Sequence, residues 1–258
     1  MVKMTNIDVQ KVQLEILDNV HDFCQTHAIN YSLIFGTLIG AIRHKGFIPW
    51  DDDIDIMMPR DDYEKFLLSY NDDYYIISKG GKGGNVSYLR IWDPATEVRF
   101  HWSSKVHHGV WVTVMPFDKV PDDDSDRRKI KRIITLLTKV YNRKLDFSYE
   151  LSFKYKLLKL MCSCISVSML YSLINNIAKK YAQEDVKELG PMVGWGQFND
   201  GPVPKCAFDE YMDVEFEGHI FKAITGYDKY LKGTYGDYMQ LPPISERVPS
   251  HNFDAFYK

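Results

Sequence analysis

Four aspartates lie close together in the stretch IPWDDDIDIMM, residues 48–58. The isoleucines, methionines and tryptophan around them are typical of a buried β-strand. Carboxylates at this density repel one another and resist burial unless a positive charge neutralises them. Because alternate side chains of a strand share a face, Asp51, Asp53 and Asp55 are predicted to point one way. Asp52 is predicted to point the other way.

This row of carboxylates predicts a divalent metal site. Hard oxygen ligands suit Mg²⁺ or Mn²⁺, and Mg²⁺ completes its shell with waters and substrate phosphates, so a phosphate-bearing substrate is the natural partner. A solvated acidic turn fits the segment less well, because such a turn is not normally flanked by large apolar residues. An EF-hand calcium loop also fits less well, because it needs glycine where this chain has Ile56.

A second candidate site lies just before the acidic segment. The run YSLIF at residues 31–35 predicts a short strand, which Gly36 ends, and Thr37 is placed to cap a helix that continues to about His44. Backbone N–H groups at the start of a helix bind anions, so Gly36 and Thr37 are candidates for phosphate binding. A simple turn with a helix cap accounts for the pair equally well.

The remaining patterns predict an α+β protein with a mixed or antiparallel sheet. Apolar side chains at helical spacing indicate a helix over residues 8–28, and the acidic strand is predicted over residues 53–58, ended by Pro59. Further strands are indicated at residues 74–77, 86–92, 97–102 and 109–115.

The character of the chain changes twice along its length. Long helical patterns occupy about residues 122–188, and the residues after them are rich in glycine, proline and aromatic side chains. We therefore expect a catalytic core over residues 1–121, a helical region over 122–190 and a loop-rich C-terminal segment over 191–258. The C-terminal segment is expected to complete the active-site cleft within one compact unit.

Composition limits the classes of partner and the compartment. With 258 residues, 45% of them hydrophobic, the chain can bury a large core, and its net charge of −3 gives no overall attraction to nucleic acid. The start of the chain lacks the apolar region of a signal peptide, which predicts the cytoplasm. No C-x-x-C pair occurs among the four cysteines, which we expect to be reduced thiols packed in a core: Cys24, Cys162, Cys164 and Cys206.

One apolar run, residues 160–178, is a candidate membrane segment. It contains four serines and two asparagines, and its apolar length falls short of the ~20 residues that a comfortable span needs. We therefore predict a buried amphipathic helix here, with a helix lying on a membrane surface as the alternative.

The longest specific signature is FGTLIGAIRHKGFIPWDDDIDIMMPRDDYEKF, residues 35–66, which resembles the LicD family, including the fukutin-related proteins. HHGVWVTVMPFDKVP at 107–121 and YGDYMQLPPISERVPSH at 235–251 support the resemblance. More widely, the chain is similar to nucleotidyltransferases of the polymerase-β type, in which a Gly-Ser-like turn holds phosphates and a D-x-D strand holds two metals. The resemblance implies a core of that type.

For function, the resemblance implies transfer of a phospho-substituent from a CDP-linked donor to a glycan hydroxyl. In bacterial LicD proteins the group is phosphocholine, placed on teichoic acid precursors or lipopolysaccharide sugars, whereas the fukutin relatives transfer ribitol phosphate. The implied partners are CDP-choline, or a related CDP donor, and a lipid-linked glycan acceptor, with no nucleic acid. The acceptor implies work at the inner face of the cell membrane, where lysines before Leu160 would contact anionic lipid.

The same resemblance assigns roles to residues of this chain. Asp53 and Asp55, with Asp51 as a third ligand, would hold Mg²⁺ or Mn²⁺ and form the catalytic centre. Beside Gly36 and Thr37, five residues are candidates for giving positive charge to the phosphates, although a surface or capping role accounts for each equally well: Arg43, His44, Lys45, Arg247 and His251.

One position departs from the family pattern. Many LicD-type sequences have an acid where the run VWVTVMPFD has Thr113, and that acid resembles the third metal carboxylate of the wider fold. Asp118 should face the opposite side of a regular strand, so Glu97 or Asp51 would have to substitute.

Three further alternatives stay open at this point. The donor could carry another phospho-alditol, ribitol phosphate or glycerol phosphate, in place of phosphocholine. The enzyme could be a nucleotidyltransferase that leaves the nucleoside phosphate on its product. Thr113 alone supports a weakly active homologue that binds the donor or partner enzymes as a scaffold.

Overall fold

The structure, a computed structural model, describes residues 1–79, 88–101, 108–145, 165–195, 201–249 and 251–258. The helices in these ranges are α1 (Asn6–Thr26), α2 (Phe35–Arg43), α3 (Arg60–Ser69), α4 (Asp124–Leu145), α5 (Val167–Ala178) and α6 (Tyr227–Tyr235). The strands are β1 (Val2–Lys3), β2 (Ser32–Leu33), β3 (Ile54–Pro59), β4 (Ile76–Lys79), β5 (Leu89–Trp92), β6 (Thr96–Phe100), β7 (Trp111–Val120), β8 (Glu188–Gly190), β9 (Val203–Pro204), β10 (Tyr211–Phe216), β11 (His219–Ile224) and β12 (Phe253–Tyr257).

A seven-stranded mixed sheet forms the centre of the molecule. Its main path is β2-β3-β7-β5-β4, and β8 and β9 extend it from the far end of β7. Among the described strands of this sheet, β3 and β7 run parallel and the other pairs are antiparallel. All residues of β7 except Lys119 are buried, as expected for a strand covered on both faces. The predicted α+β class with a mixed sheet is confirmed.

Two smaller sheets complete the described chain. The hairpin β10-β11 turns through Glu217 and Gly218, both with positive φ, as a two-residue hairpin turn requires. The three-stranded sheet has the order β1-β12-β6. His251 comes just before β12, and its ring meets the ring of Trp111 on β7 edge-on, so this late residue lies beside the central sheet.

Several predicted elements are present with different ends. The first helix begins at Asn6 because Thr5 and Asp8 form a capping box, in which the Thr5 N–H donates to the Asp8 carboxylate at 2.7 Å. The acidic strand begins later than predicted, at Ile54. The three aspartates at 51–53 therefore lie in an irregular segment, where the alternation of a strand does not apply.

The cysteine and membrane predictions have mixed outcomes. Cys24 is buried in the core, but Cys206 is exposed, so the prediction is wrong for the latter, and Cys162 and Cys164 lie outside the described residues. Helix α5, within the apolar run, buries one face, as predicted. None of the helices in the described part of the chain combines the length and apolar character that a bilayer-spanning segment needs.

A buried ion pair joins the central sheet to two helices. Arg60, at the start of α3, donates from Nε to Asp118 Oδ1 at 2.6 Å and from Nη2 to Oδ2 at 2.9 Å, so the pair is bidentate. The Arg60 Nη1 also donates to Asn175 Oδ1 on α5 at 3.1 Å. The Asp118 side chain is 1% exposed. Asp118 thus serves packing and faces away from the acidic segment, as its spacing from Thr113 predicts.

We expect Asp118→Ala to lower the free energy of unfolding by about 3–5 kcal/mol, because the buried Arg60 guanidinium loses its bidentate partner and keeps the partly exposed Glu64 carboxylate at 3.3 Å. Urea unfolding followed by tryptophan fluorescence measures the change. The control is Asp185→Ala. The ion pair of Asp185 with Lys205 lies at the surface, so its loss should hardly change the free energy of unfolding. Equal midpoints for both variants would contradict the assigned role of the Arg60 pair.

Candidate active site

The acidic segment is held by its backbone against the first helix. The side-chain amides of Gln10 and Gln13, both on α1, donate to the carbonyls of Asp51 at 3.2 Å and Asp52 at 2.9 Å. The N–H of Asp51 donates to the Ile48 carbonyl at 2.8 Å. These bonds satisfy backbone groups that no strand partner satisfies and fix the direction of the carboxylates.

Gly36 and Thr37 shape the site, but not as predicted. Ile34, without a side-chain hydrogen bond, is the N-cap of α2, so the prediction that Thr37 caps the helix is wrong. Instead the Thr37 hydroxyl accepts from the N–H of Asp55 at 2.9 Å. A Cβ at Gly36 would lie closer than 3.0 Å to Asp51 Oδ2, so glycine here gives that carboxylate its room.

Backbone strain marks both ends of α2. Phe35 has φ +52° and Lys45 has φ +61°, a left-handed conformation that non-glycine residues seldom adopt. The Lys45 carbonyl accepts from the N–H of Glu217 at 2.8 Å, and the Glu217 carboxylate accepts from the N–H of Phe47 at 2.9 Å. The hairpin β10-β11 thus holds the strained loop that leads into the acidic segment. Such strain is common at functional sites.

The C-terminal segment brings a histidine to the acids. The N–H of His251 donates to Asp52 Oδ2 at 3.0 Å, and its ring Nδ1 lies 3.0 Å from Asp52 Oδ1 and 3.6 Å from Asp53 Oδ2. Asp52, Asp53 and His251 offer ligand atoms that all lie within 4.8 Å of one another. The prediction that Asp52 points away from the other acids is wrong, because the segment before Ile54 is not a strand.

Asp51, Asp52, Asp53 and Asp55 form what we call the acidic cluster. Burial and mutual repulsion raise the pKa values of three of them, Asp51, Asp53 and Asp55. Burial, and then the charge of Asp55, raise the pKa of Asp51 to about 6, and its hydrogen bond with Asp53 opposes the rise. Burial and the neighbouring acids raise the pKa of Asp53 well above its usual value. Burial also raises the pKa of Asp55, against a hydrogen bond from Thr113 and the charge of His251. Full ionisation of this set requires added positive charge.

A divalent cation fits these residues. Carboxylate oxygens are hard ligands, the three nearest donors already converge, and a bound cation would remove the repulsion that raises the pKa values. Asp52, Asp53 and His251 could therefore hold a metal, and the hydrogen bond between Asp51 and Asp53 places Asp51 next to them.

The other predicted basic residues have structural contacts. The Arg43 guanidinium donates to the carbonyls of Tyr238 and Gln240 and so anchors the C-terminal segment. Its Nε also donates to His44 Nδ1 at 3.4 Å, and burial followed by the Arg43 charge lowers the pKa of His44. The side chain of Lys45 is exposed.

Arg247 lies beside the acidic segment. Its guanidinium is 5.4 Å from the ring centroid of Trp50, the residue before Asp51, and its Nε donates to the Pro242 carbonyl at 2.9 Å. Its charge also contributes to a lowered pKa of Arg43, after the larger effect of burial. The two arginines are therefore close enough for their charges to repel one another.

Thr113 lies in register with Asp55 on the parallel pair β3-β7, and its hydroxyl hydrogen-bonds that carboxylate. Glu97 does not lie where it could replace the acid missing at Thr113. It belongs to β6 of the three-stranded sheet, and its carboxylate pairs with Arg99 at 2.6 Å. Of the two candidates, Asp51 is the one that lies next to Asp53 and Asp55.

Sequence reasoning missed Arg90 as well as Asp52. Arg90 lies on β5 directly opposite Thr113, only 6% exposed, and its charge interacts with Asp55 and Asp53. The signal in the sequence was a single arginine within the apolar run YLRIW, where a charge is rarely buried without a partner.

Comparison with known proteins gives the class of this chain. Residues 28–167 match the family described as LicD/FKTN/FKRP, nucleotidyltransferase domain, a range that includes the acidic segment, Arg90 and Thr113. The chain is also 33% identical over 276 positions to the lipopolysaccharide cholinephosphotransferase LicD of Haemophilus influenzae, covering 99% of both chains. An uncharacterized protein of Rickettsia prowazekii is 40% identical over 77 residues, 25% of this chain and 29% of that protein. The chain belongs to the LicD family and is a transferase of the LicD type.

We expect Gly36→Ala to weaken Mn²⁺ binding by about 10- to 100-fold, the usual effect of disturbing the groups that orient metal ligands. The added methyl group would push the Asp51 carboxylate away from Asp53. Isothermal titration with MnCl₂ measures the affinity. Gly233→Ala on α6, where no atom lies within 4 Å of the added Cβ, is the matched control. Unchanged Mn²⁺ affinity in the Gly36 variant would show that Asp51 is no part of the site.

Proposed function

We propose that the protein transfers phosphocholine from CDP-choline to a hydroxyl of a cell-surface glycan precursor. The observation that carries the proposal is the end-to-end similarity to a lipopolysaccharide cholinephosphotransferase, together with an acidic cluster built around the same segment that the family match covers. The acceptor would be of the lipopolysaccharide or teichoic acid type. A lipid-linked acceptor would place the protein at the inner face of the cell membrane.

The proposal includes Mg²⁺ or Mn²⁺ bound by Asp53 with Asp51 and Asp55, the set that sequence analysis predicts. The contacts of Asp52 and His251 with Asp53 support adding them to that set. A bound divalent ion would supply charge neutralisation for the donor diphosphate and the leaving CMP. It also includes a polymerase-β-type core, supported by a D-x-D motif that enters β3 beside the central strand.

The reaction is a displacement at phosphorus. A glycan hydroxyl attacks the phosphorus that carries choline, a new P–O bond forms, and the bond to the bridging diphosphate oxygen breaks, so that CMP leaves with the electron pair. The hydroxyl proton passes to a carboxylate of the cluster. The protein's residues hold the two reactants in line and keep the carboxylates oriented, which is most of what such a transfer needs.

The predicted phosphate-binding residues differ in how far their polar groups are already bonded within the protein. Thr37 already accepts from a backbone N–H, and the Arg43 guanidinium donates to two carbonyls, so both position other groups. Arg247 next to Trp50, and the exposed Lys45, have charges more accessible to a donor. Gly36 contributes space, and His44 packs on Arg43.

A second candidate function follows from Thr113. Because a neutral hydroxyl stands beside Asp55, the site has less negative charge to hold a second cation. The protein would then bind the donor and turn it over slowly. The two functions differ in rate and not in ligand, so an activity measurement separates them.

The first experiment is CMP release from CDP-choline with Mg²⁺ and a bacterial glycolipid extract. We expect acceptor-dependent release that falls by at least about 100-fold in Asp53→Asn and Asp55→Asn, because each variant loses a carboxylate proposed to hold the cation that neutralises the donor diphosphate. Asp73→Asn, an exposed acid outside the cluster, is the matched control.

Three other outcomes would change the assignment. Release from CDP-glycerol or CDP-ribitol, with none from CDP-choline, would replace the donor. A product whose mass includes CMP would indicate a nucleotidyltransferase. Binding of CDP-choline that raises the melting temperature, without release of CMP, would favour the slow donor-binding homologue.

A further inference from the structure

A second polar cluster lies on the same face of the sheet as Asp55. Arg90, Thr113 and Asp55 are in register across the adjacent strands β5, β7 and β3, so their side chains leave the same face. With neighbouring strands about 4.8 Å apart, the Arg90 and Asp55 backbones are separated by about 10 Å. We call Arg90, His108 and Trp111 the arginine cluster.

Trp111 joins the arginine cluster to the acidic one. The Arg90 guanidinium lies over the Trp111 ring at 4.4 Å from the centroid, and the ring of His251 meets Trp111 edge-on at 5.5 Å between centroids. His251 in turn contacts Asp52 and Asp53. The two clusters therefore share one wall of the site.

His108 holds the arginine in a defined position. Its Nδ1 lies 2.7 Å from the Gly109 carbonyl, which can only accept, and its Nε2 lies 3.0 Å from Arg90 Nη1, which can only donate. The ring must therefore carry its proton on Nδ1 and accept at Nε2. A neutral His108 thus orients the Arg90 guanidinium without neutralising it.

The charge of Arg90 is incompletely balanced. Its side chain is 6% exposed, and its buried Nε has no hydrogen-bond partner among the described residues. Among the described residues no carboxylate forms an ion pair with the guanidinium. Thr113, directly opposite on β7, is neutral, and the charges of Asp55 and Asp53 act on Arg90 from farther away. A buried guanidinium in this state is an anion site, since guanidinium donors match phosphate oxygens in geometry and charge.

We propose that Arg90 binds a phosphate of the nucleotide donor, on the far side of Thr113 from Asp55. The inference rests on the proposed function for the identity of the donor. A diphosphate held at one end by the acidic segment and its cation would reach the guanidinium across Thr113, which lies between Asp55 and Arg90 in the register of the sheet. Arg90 would then be a substrate-contacting residue, and His108 and Trp111 would be positioning residues.

The test compares three ligands on three proteins at fixed Mg²⁺. Isothermal titration gives the affinities of CDP-choline, inorganic pyrophosphate and cytidine for the unsubstituted protein, Arg90→Lys and Arg90→Met. We expect Arg90→Met to lose at least about tenfold in affinity for the two phosphorylated ligands and to keep its affinity for cytidine. Arg90→Lys keeps the charge without the fork of donors, so its loss should be smaller. Arg99→Met, an exposed arginine on β6, is the matched control.

Each result decides the inference. A graded loss confined to CDP-choline and pyrophosphate supports it. Equal losses for all three ligands, or no loss in either variant, would overturn it, as would absence of pyrophosphate binding to the unsubstituted protein. If Arg90→Met fails to fold, the Arg90→Lys comparison still decides between a phosphate contact and packing alone.

The inference and the proposed function fail separately. Pyrophosphate binding that depends on Arg90, without CMP release from CDP-choline, would leave the phosphate contact standing and remove the assigned donor. Normal turnover of CDP-choline by Arg90→Met, with an unchanged KM, would leave the assigned donor standing and remove the phosphate contact.

Discussion

Four carboxylates held together where water has little access are the constraint on which the rest of this structure depends. Groups from distant parts of the chain meet them: amides from α1, hydroxyls from α2 and β7, and a histidine from the C-terminal segment. Each gives a hydrogen bond or a positive charge that lessens repulsion, or fixes the backbone between the acids. The packing of α1 and of the C-terminal segment against β3 is thereby part of the site.

Much of the fold could be predicted from local patterns. The alternation of apolar residues around 54–58 and the helical spacing in α1 are strong signals, since each side chain's burial is set by its own element. The mixed sheet followed from several short strands with turns between them. Asp51, Asp53 and Asp55 could be predicted as candidate ligands because few kinds of site tolerate such a charge density in an apolar run.

What could not be predicted depends on contacts between elements. The predicted orientation of Asp52 followed from assuming a strand that begins before Ile54, and the amides of Gln10 and Gln13 hold the segment in another conformation. Arg90 acquires its significance only when β5 is placed next to β7. His251 was a weak candidate, because no local pattern indicates which end of the sheet a late loop will reach.

The contact of His251 with Asp52 has a consequence for the biosynthesis of the protein. The two residues are 199 positions apart, and β12, which holds the later one in place, pairs with β1 near the start of the chain. A chain emerging from the ribosome can form most of the central sheet long before it can form this contact. The acidic cluster therefore stays unfinished during synthesis and gains its histidine only when the described sequence is almost complete.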